Sequence, residues 1–187
     1  MKNLKIVVVF VAICATLFTG CEKDDEDSSS PGYYIIDGVR YNLGKAYFEY
    51  YDIRIHHANN KEYLEHTVTF ISDGFIWKNG EVISGKGSVA IIQFMDPLKV
   101  QIPESGNYVY QSDNDPVKSY TYFDFTLGYF DNENTSLSFY YNTYDSVVKV
   151  SKSGDVYEFS CTGKTDKGKA FEFYYKGTIA PMPEIKN

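Results

Sequence analysis

Tyr33-Tyr34-Ile35-Ile36-Asp37-Gly38-Val39-Arg40-Tyr41-Asn42-Leu43 is two short apolar and aromatic runs joined by Asp-Gly. Asp-Gly tolerates the positive φ angles of a two-residue hairpin turn, so the stretch reads as a tight antiparallel pair. The same grammar continues downstream. Ala46 to His56 is rich in Tyr, Phe and Ile and lacks Gly and Pro, which suits a strand closed by Asn59-Asn60-Lys61-Glu62. His66-Thr67-Val68-Thr69-Phe70 alternates polar and apolar residues, as a half-buried strand does. Ser88 to Met95 has Val89 and Ile91 on one face and Ala90, Ile92 and Phe94 on the other, the pattern of a central strand. Asn107 to Gln111 makes another short strand.

In the second half, Thr121, Phe123, Phe125, Leu127 and Tyr129 share one face, and Ser138 to Tyr144 follows as a weaker strand. Val148 and Val150 oppose Lys149 and Ser151. Ser153-Gly154 turns the chain into Val156–Thr162. Asp166-Lys167-Gly168 turns it again into Ala170–Ile179, where Phe171, Phe173 and Tyr175 oppose Glu172, Tyr174 and Lys176. No stretch holds a helical period over three turns. The expectation is an all-β domain: an antiparallel two-sheet β-sandwich of about nine or ten strands. A meander closed into a calycin- or lipocalin-like barrel is the alternative.

Upstream, Lys2 and Lys5 precede an apolar run from Ile6 to Phe18, interrupted only by Thr16. A positive start, a short apolar core and small residues before a cut site make a secretory signal. The run falls short of the roughly 20 apolar residues needed to span a bilayer. Thr19-Gly20 before Cys21 resembles the bacterial lipobox, in which the cysteine is lipidated and becomes the mature N-terminus. Each buried acyl methylene would contribute about 0.8 kcal/mol to anchoring. Glu22 to Asp27 holds five acids and one lysine, a block that repels itself and stays solvated. The domains expected are therefore a leader at 1–20, a lipidated acidic tether at 21–32 and one all-β domain at 33–187. The tether can reach about 40 Å.

Lys23, Asp24 and Asp25 behind Cys21 resemble the surface-export signal of Bacteroidota lipoproteins. The block from Val147 to Ile179, with Ile36-Asp37-Gly38, is similar to small Bacteroidota surface lipoproteins. The resemblance implies an all-β domain, lipid-anchored in the outer membrane and facing the cell exterior. It supplies no catalytic residues. Asp145-Ser146-Val147 resembles the short O-glycosylation acceptor of the same group, which implies a glycan on Ser146.

Losing the leader's two lysines takes the formal charge from −7 to −9. That acidity excludes nucleic acid as a partner, because phosphate binding needs a basic face. Of three cysteines, Cys14 leaves with the leader and Cys21 carries lipid, so no internal disulfide forms. Cys161 alternates with Tyr157 and Phe159 and reads as a small buried hydrophobe.

Gly80-Glu81-Val82-Ile83-Ser84-Gly85-Lys86 fits most of a P-loop, but Gly87 stands where Ser or Thr would hold Mg²⁺. These glycines read as loop residues, and no cofactor is expected. His56 and His57 face opposite sides of a strand, so one of them with His66 could meet across a hairpin. A closed metal site wants three or four ligands, and no Cys or acid cluster completes one. Asp113, Asp115, Asp131 and Glu133 lie in turn-like segments without EF-hand spacing.

No nucleophile–base set appears, so the domain reads as a non-enzymatic binding or structural module for glycan, protein or another envelope component. The alternative is a carbohydrate-active hydrolase with a carboxylate pair. Aromatic residues make up 17% of the chain and Tyr alone numbers 18, more than one buried face needs. The expected ligand-binding rings are Trp77, in a glycine-bounded segment, with Tyr33 and Tyr34. Tyr140, Tyr141 and Tyr174 belong to the same excess.

Overall fold

The computed structural model describes residues 30–56, 61–78, 81–97, 103–110, 119–130, 136–141 and 146–183. Cys21, Lys23, Asp24, Asp25, His57 and the acids at 113, 115, 131 and 133 lie outside the described residues.

In chain order the strands are β1 (Gly32–Ile36), β2 (Val39–Leu43), β3 (Lys45–His56), β4 (Lys61–Ile71), β5 (Phe75–Lys78), β6 (Glu81–Pro97) and β7 (Gly106–Tyr110). They continue with β8 (Ser119–Phe130), β9 (Ser136–Tyr141), β10 (Val147–Ser153), β11 (Val156–Lys164), β12 (Ala170–Gly177) and β13 (Ile179–Pro181). The described residues contain no helix, as the period-2 patterning requires.

The hairpin at Asp37-Gly38 forms as read. Asp37 has φ 56° and Gly38 φ 81°, the pair of positive values a type I′ turn demands. Gly154-Asp155 and Asp166–Gly168 likewise turn β10 into β11 and β11 into β12.

One hydrogen-bonded path runs β13-β3-β4-β6-β8-β7-β10-β11-β12-β1-β2, with β5 added beside β6 and β9 beside β8. The pairings are antiparallel except β13 with β3 and β7 with β8. The β7–β8 seam is brief: Val109 opposite Ser119 and Tyr110 opposite Tyr120. Farther along the same edge of β8, β9 takes over. The path folds at that seam into two sheets, one around β3, β4, β6 and β8, the other from β7 through β2.

Register shifts at Tyr50/Asp52 in β3 and Gln93/Phe94 in β6 bend the first sheet into a half-barrel. Its open side is closed by the other sheet's last strand. Ser88 Oγ donates to the Asn42 carbonyl at 3.1 Å, and Gly44 N–H donates to the Ile71 carbonyl at 2.7 Å.

Aromatic rings fill the space between. Phe70 of β4 meets Phe159 of β11 at 5.2 Å and Phe173 of β12 at 4.9 Å. Phe125 of β8 meets Tyr34 of β1 at 4.8 Å and Phe171 of β12 at 5.0 Å. Phe123 meets Phe173 edge-on at 5.2 Å. Such pairs add about 0.5–1.5 kcal/mol each beyond the burial of their area.

Three expectations change. The described residues form thirteen strands where about nine or ten were expected, with β5 and β13 among the additional elements. Two glycines of the P-loop-like stretch are not loop residues: Gly85 and Gly87 lie inside β6, while Gly80 lies outside the described residues. Gly85 holds φ 121°, and a Cβ there would strike the Gly74 carbonyl, so glycine permits the close approach of β5 to β6. The domain also begins before Tyr33. Ser30 Oγ donates to the Leu43 carbonyl at 2.8 Å, Lys176 N–H donates to the Pro31 carbonyl at 2.7 Å, and Gly32 is buried in β1.

Candidate functional site

β7, β10, β11, β12 and β1 set alternate residues toward a buried and a solvent face, and β2 continues the sheet at its edge. Tyr108, Val148, Val150, Phe159, Cys161, Phe173, Tyr175 and Tyr34 point inward. Their neighbours in sequence therefore point outward. The pairing register places Asn107, Lys149, Ser160, Tyr174, Tyr33 and Asn42 opposite one another in a single row across six strands. At about 4.8 Å per strand, that row is about 24 Å long.

Ser160 is the short residue in the row, between the long side chains of Lys149 and Tyr174. A depression of about 170 Å³ lies on one side of Lys149, bounded by Ser160, Thr162, Glu172, Tyr174 and Val147. A second, of about 160 Å³, is bounded by Asn107, Gly106, Ser151, Glu158 and Ser160. The two share Lys149 and Ser160.

The walls carry both signs of charge. Lys176 Nζ is 3.1 Å from Glu158 Oε2. Tyr33 Oη donates to Glu172 Oε1 at 2.6 Å, which pushes the Tyr33 phenol above its ordinary pKa. The Arg40 guanidinium sits 3.7 Å over the Tyr33 ring and donates through Nε to Asn42 Oδ1 at 3.0 Å. Tyr33 and Tyr174 lie side by side, centroids 5.8 Å apart and planes 34° apart. The face thus offers donors and acceptors together. A polyanion would meet Glu158 and Glu172, and a polycation would meet Arg40, Lys149 and Lys176. A neutral, hydroxyl-rich ligand can use all of them.

The expected ligand-binding rings separate. Tyr33 is on this face, with one side of its ring covered by Arg40. Tyr34 is a correction: it is fully buried between Phe125 and Tyr41, because alternation turns it inward. Trp77 falls in β5 where the register against β6 shifts; its side chain lies outside the described residues. Tyr140 and Tyr141 are in β9, and their side chains also lie outside them. Ser146 is 7% exposed, and a Cβ on Gly163 would lie 3.0 Å from its own Cβ. A hexose on that hydroxyl needs the start of β10 to move away from β11. Cys161 is buried as expected, and burial pushes its thiol up to about 11.

A second polar group is buried where the sheets meet. His66 of β4, Asp96 of β6 and Tyr108 of β7 are all fully buried. His66 does not face His56: the register sets His66 opposite Tyr50 and His56 opposite Lys61, at different points along the hairpin. Instead His66 Nε2 is 3.4 Å from Asp96 Oδ2, without a hydrogen bond. Tyr108 Oη lies 3.0 and 3.2 Å from the Asp96 oxygens and 2.9 Å from the Glu104 carbonyl. Burial pushes His66 down to about 4, so its ring is neutral, and pushes the Tyr108 phenol up.

Neither ring nitrogen of His66 has a hydrogen-bond partner. Each unmet buried group costs about 1–3 kcal/mol. Among the described residues, no three of His, Cys, Asp and Glu gather as a metal-holding group. The third side chain here is a phenol. Sequence reasoning considered histidines and acids for this role and missed Tyr108, whose strand is remote from β4 in the chain. Nothing in the local sequence singles out Asp96 either. No protein-family model, no curated protein and no solved structure matches the chain.

Proposed function

We propose that the chain is a lipid-anchored, non-enzymatic binding module of the outer membrane, displayed toward the cell exterior, which holds a glycan on its outer sheet face. Cys21 behind an apolar leader supports the anchor, and Lys23-Asp24-Asp25 supports export. The observation that carries the binding reading is the pair of depressions sharing Ser160 and Lys149, with Tyr174 forming one wall. Glycan hydroxyls both donate and accept, which matches walls carrying Lys149, Glu158 and Glu172. An aromatic side wall suits the apolar face of a sugar ring. The row's length suits an extended chain of several sugars more than a compact ligand.

Two measurements test this reading. Cys21→Ser should release the protein from membranes, and protease added to intact cells should cleave the wild type. A Cys21→Ser protein that still pellets with membranes, or a wild type that resists the protease, contradicts the location. Titration of the purified protein with neutral oligosaccharides should perturb the amide resonances of Ser160, Lys149 and Tyr174. A panel that perturbs none of them contradicts the site.

A further inference from the structure

The two depressions on the outer face are not alike. They follow one another along β10 and β11, with Lys149 and Ser160 common to both. On one side the outward side chains are Asn107, Ser151 and Glu158, all polar. On the other the rim carries Val147 and Thr162, with Tyr174 as a further wall. Val147 is 36% exposed, and its cross-strand partner Val109 on β7 is 49% exposed. Single apolar residues scattered on a surface need no explanation. Among the large apolar side chains that the described residues leave exposed, however, Val109 and Val147 are the one pair in direct register, and Val147 lines a depression.

Size and polar groups narrow what fits. A cavity of about 150 Å³ holds one six-membered ring. Depressions of about 170 and 160 Å³ therefore match one sugar ring each. A step of two residues along a strand is about 7 Å, which lets the two rings be neighbours in one glycan chain. Glu158 is held by Lys176, and Glu172 spends Oε1 on the Tyr33 phenol. Lys149 has no ion-pair partner among the described residues, so its ammonium donors are left for a ligand. Glu172 keeps the lone pairs of its other oxygen. The Val147 side thus combines an apolar rim, a donor and an acceptor.

We propose that the Val147 depression is a subsite for an N-acetylated sugar, and that the Ser151 depression takes an unsubstituted hexose beside it. The proposal rests on the glycan reading above and narrows it. An acetamido group carries three complements on one ring carbon: a methyl for Val147 and Val109, a carbonyl oxygen for Lys149 and an N–H for Glu172. A hydroxyl at that carbon donates and accepts but brings nothing apolar, so the valines stay in water. A 6-deoxy sugar brings a methyl without a donor or acceptor beside it. The acetamido group is also neutral, which suits walls that carry both signs of charge.

Matched sugars test the subsite. N-acetylglucosamine and glucose, N-acetylgalactosamine and galactose, and N-acetyllactosamine and lactose each differ by one acetamido group in place of one hydroxyl. All six are titrated into the purified protein and followed by its amide resonances. In the pair bound best, the acetylated sugar should bind about tenfold tighter than its partner. Val147→Thr keeps the branched shape that the strand favours and replaces a methyl by a hydroxyl; the ratio should fall to about threefold or less. Ser151→Ala, in the other depression, should leave the ratio as it is in wild type. Equal affinities within every pair overturn the subsite and leave the glycan site standing, whereas a protein that binds none of the six overturns both. A folded Val147→Thr protein that keeps the full preference overturns the subsite, and so does a Ser151→Ala protein that loses it.

Discussion

The β1–β12 pair carries two tyrosines side by side on each of its strands, Tyr33-Tyr34 and Tyr174-Tyr175, and treats them in opposite ways. Tyr34 and Tyr175 turn inward and are almost wholly buried among Phe70, Phe125 and their neighbours. Tyr33 and Tyr174 turn outward, half-buried, amid Arg40, Glu172 and the Ser160-floored depressions. The residue type is the same and the strands are the same; only parity differs. Inside, the rings supply stability by excluding water. Outside, they supply a surface whose donors and acceptors stay in contact with solvent.

The contrast can be broken most forcefully from the inner side. Phe173→Ala removes a ring shared by Phe70, Phe123 and Phe125 and should lower stability by about 3–5 kcal/mol in denaturant unfolding. A loss below about 1 kcal/mol would mean the sheets do not pack through these rings.

Cys161 probes the same interior by reactivity. Burial lifts its thiol to about 11, so at pH 8 the native protein holds roughly a thousandth of it as thiolate, and that fraction grows as pH rises toward 11. Unfolding returns the pKa to about 8.5. Alkylation at pH 8 should therefore run at least a hundredfold slower in the native state than in denaturant. Equal rates would place Cys161 at the surface.

The finest comparison sets neighbouring residues against each other. Tyr34→Ala should cost about 3 kcal/mol as a buried ring, and Tyr33→Ala about 1 kcal/mol or less as an outward-facing, half-buried one. Calorimetry of the two variants should rank them in that order. The reverse order would invert the faces of β1.

The sequence could reveal the strands because turns and alternation are local. Asp37-Gly38 and Asp166-Lys167-Gly168 mark hairpins by backbone chemistry alone, and Phe171 and Phe173 against Glu172 set the inward side of β12. It could not reveal parity where both neighbours are aromatic, which is why Tyr34 read as a surplus ring. Gly85 read as a loop residue because its use, letting β5 pass close to β6, is tertiary. The outer site was half legible. Tyr33 and Tyr174 stand out by type, but Ser160 matters through its shortness beside Lys149, and that appears only when strands are in register. The His66–Asp96–Tyr108 group was hidden for a similar reason, since three strands of two sheets supply it.

Filling the Ser160 floor tests the outer face most directly. Ser160→Tyr adds bulk on the solvent side only, so the account expects stability within about 0.5 kcal/mol of wild type. It expects the affinity for a neutral oligosaccharide, measured by titration, to fall about tenfold or more. Undiminished binding by a folded Ser160→Tyr protein would contradict the account.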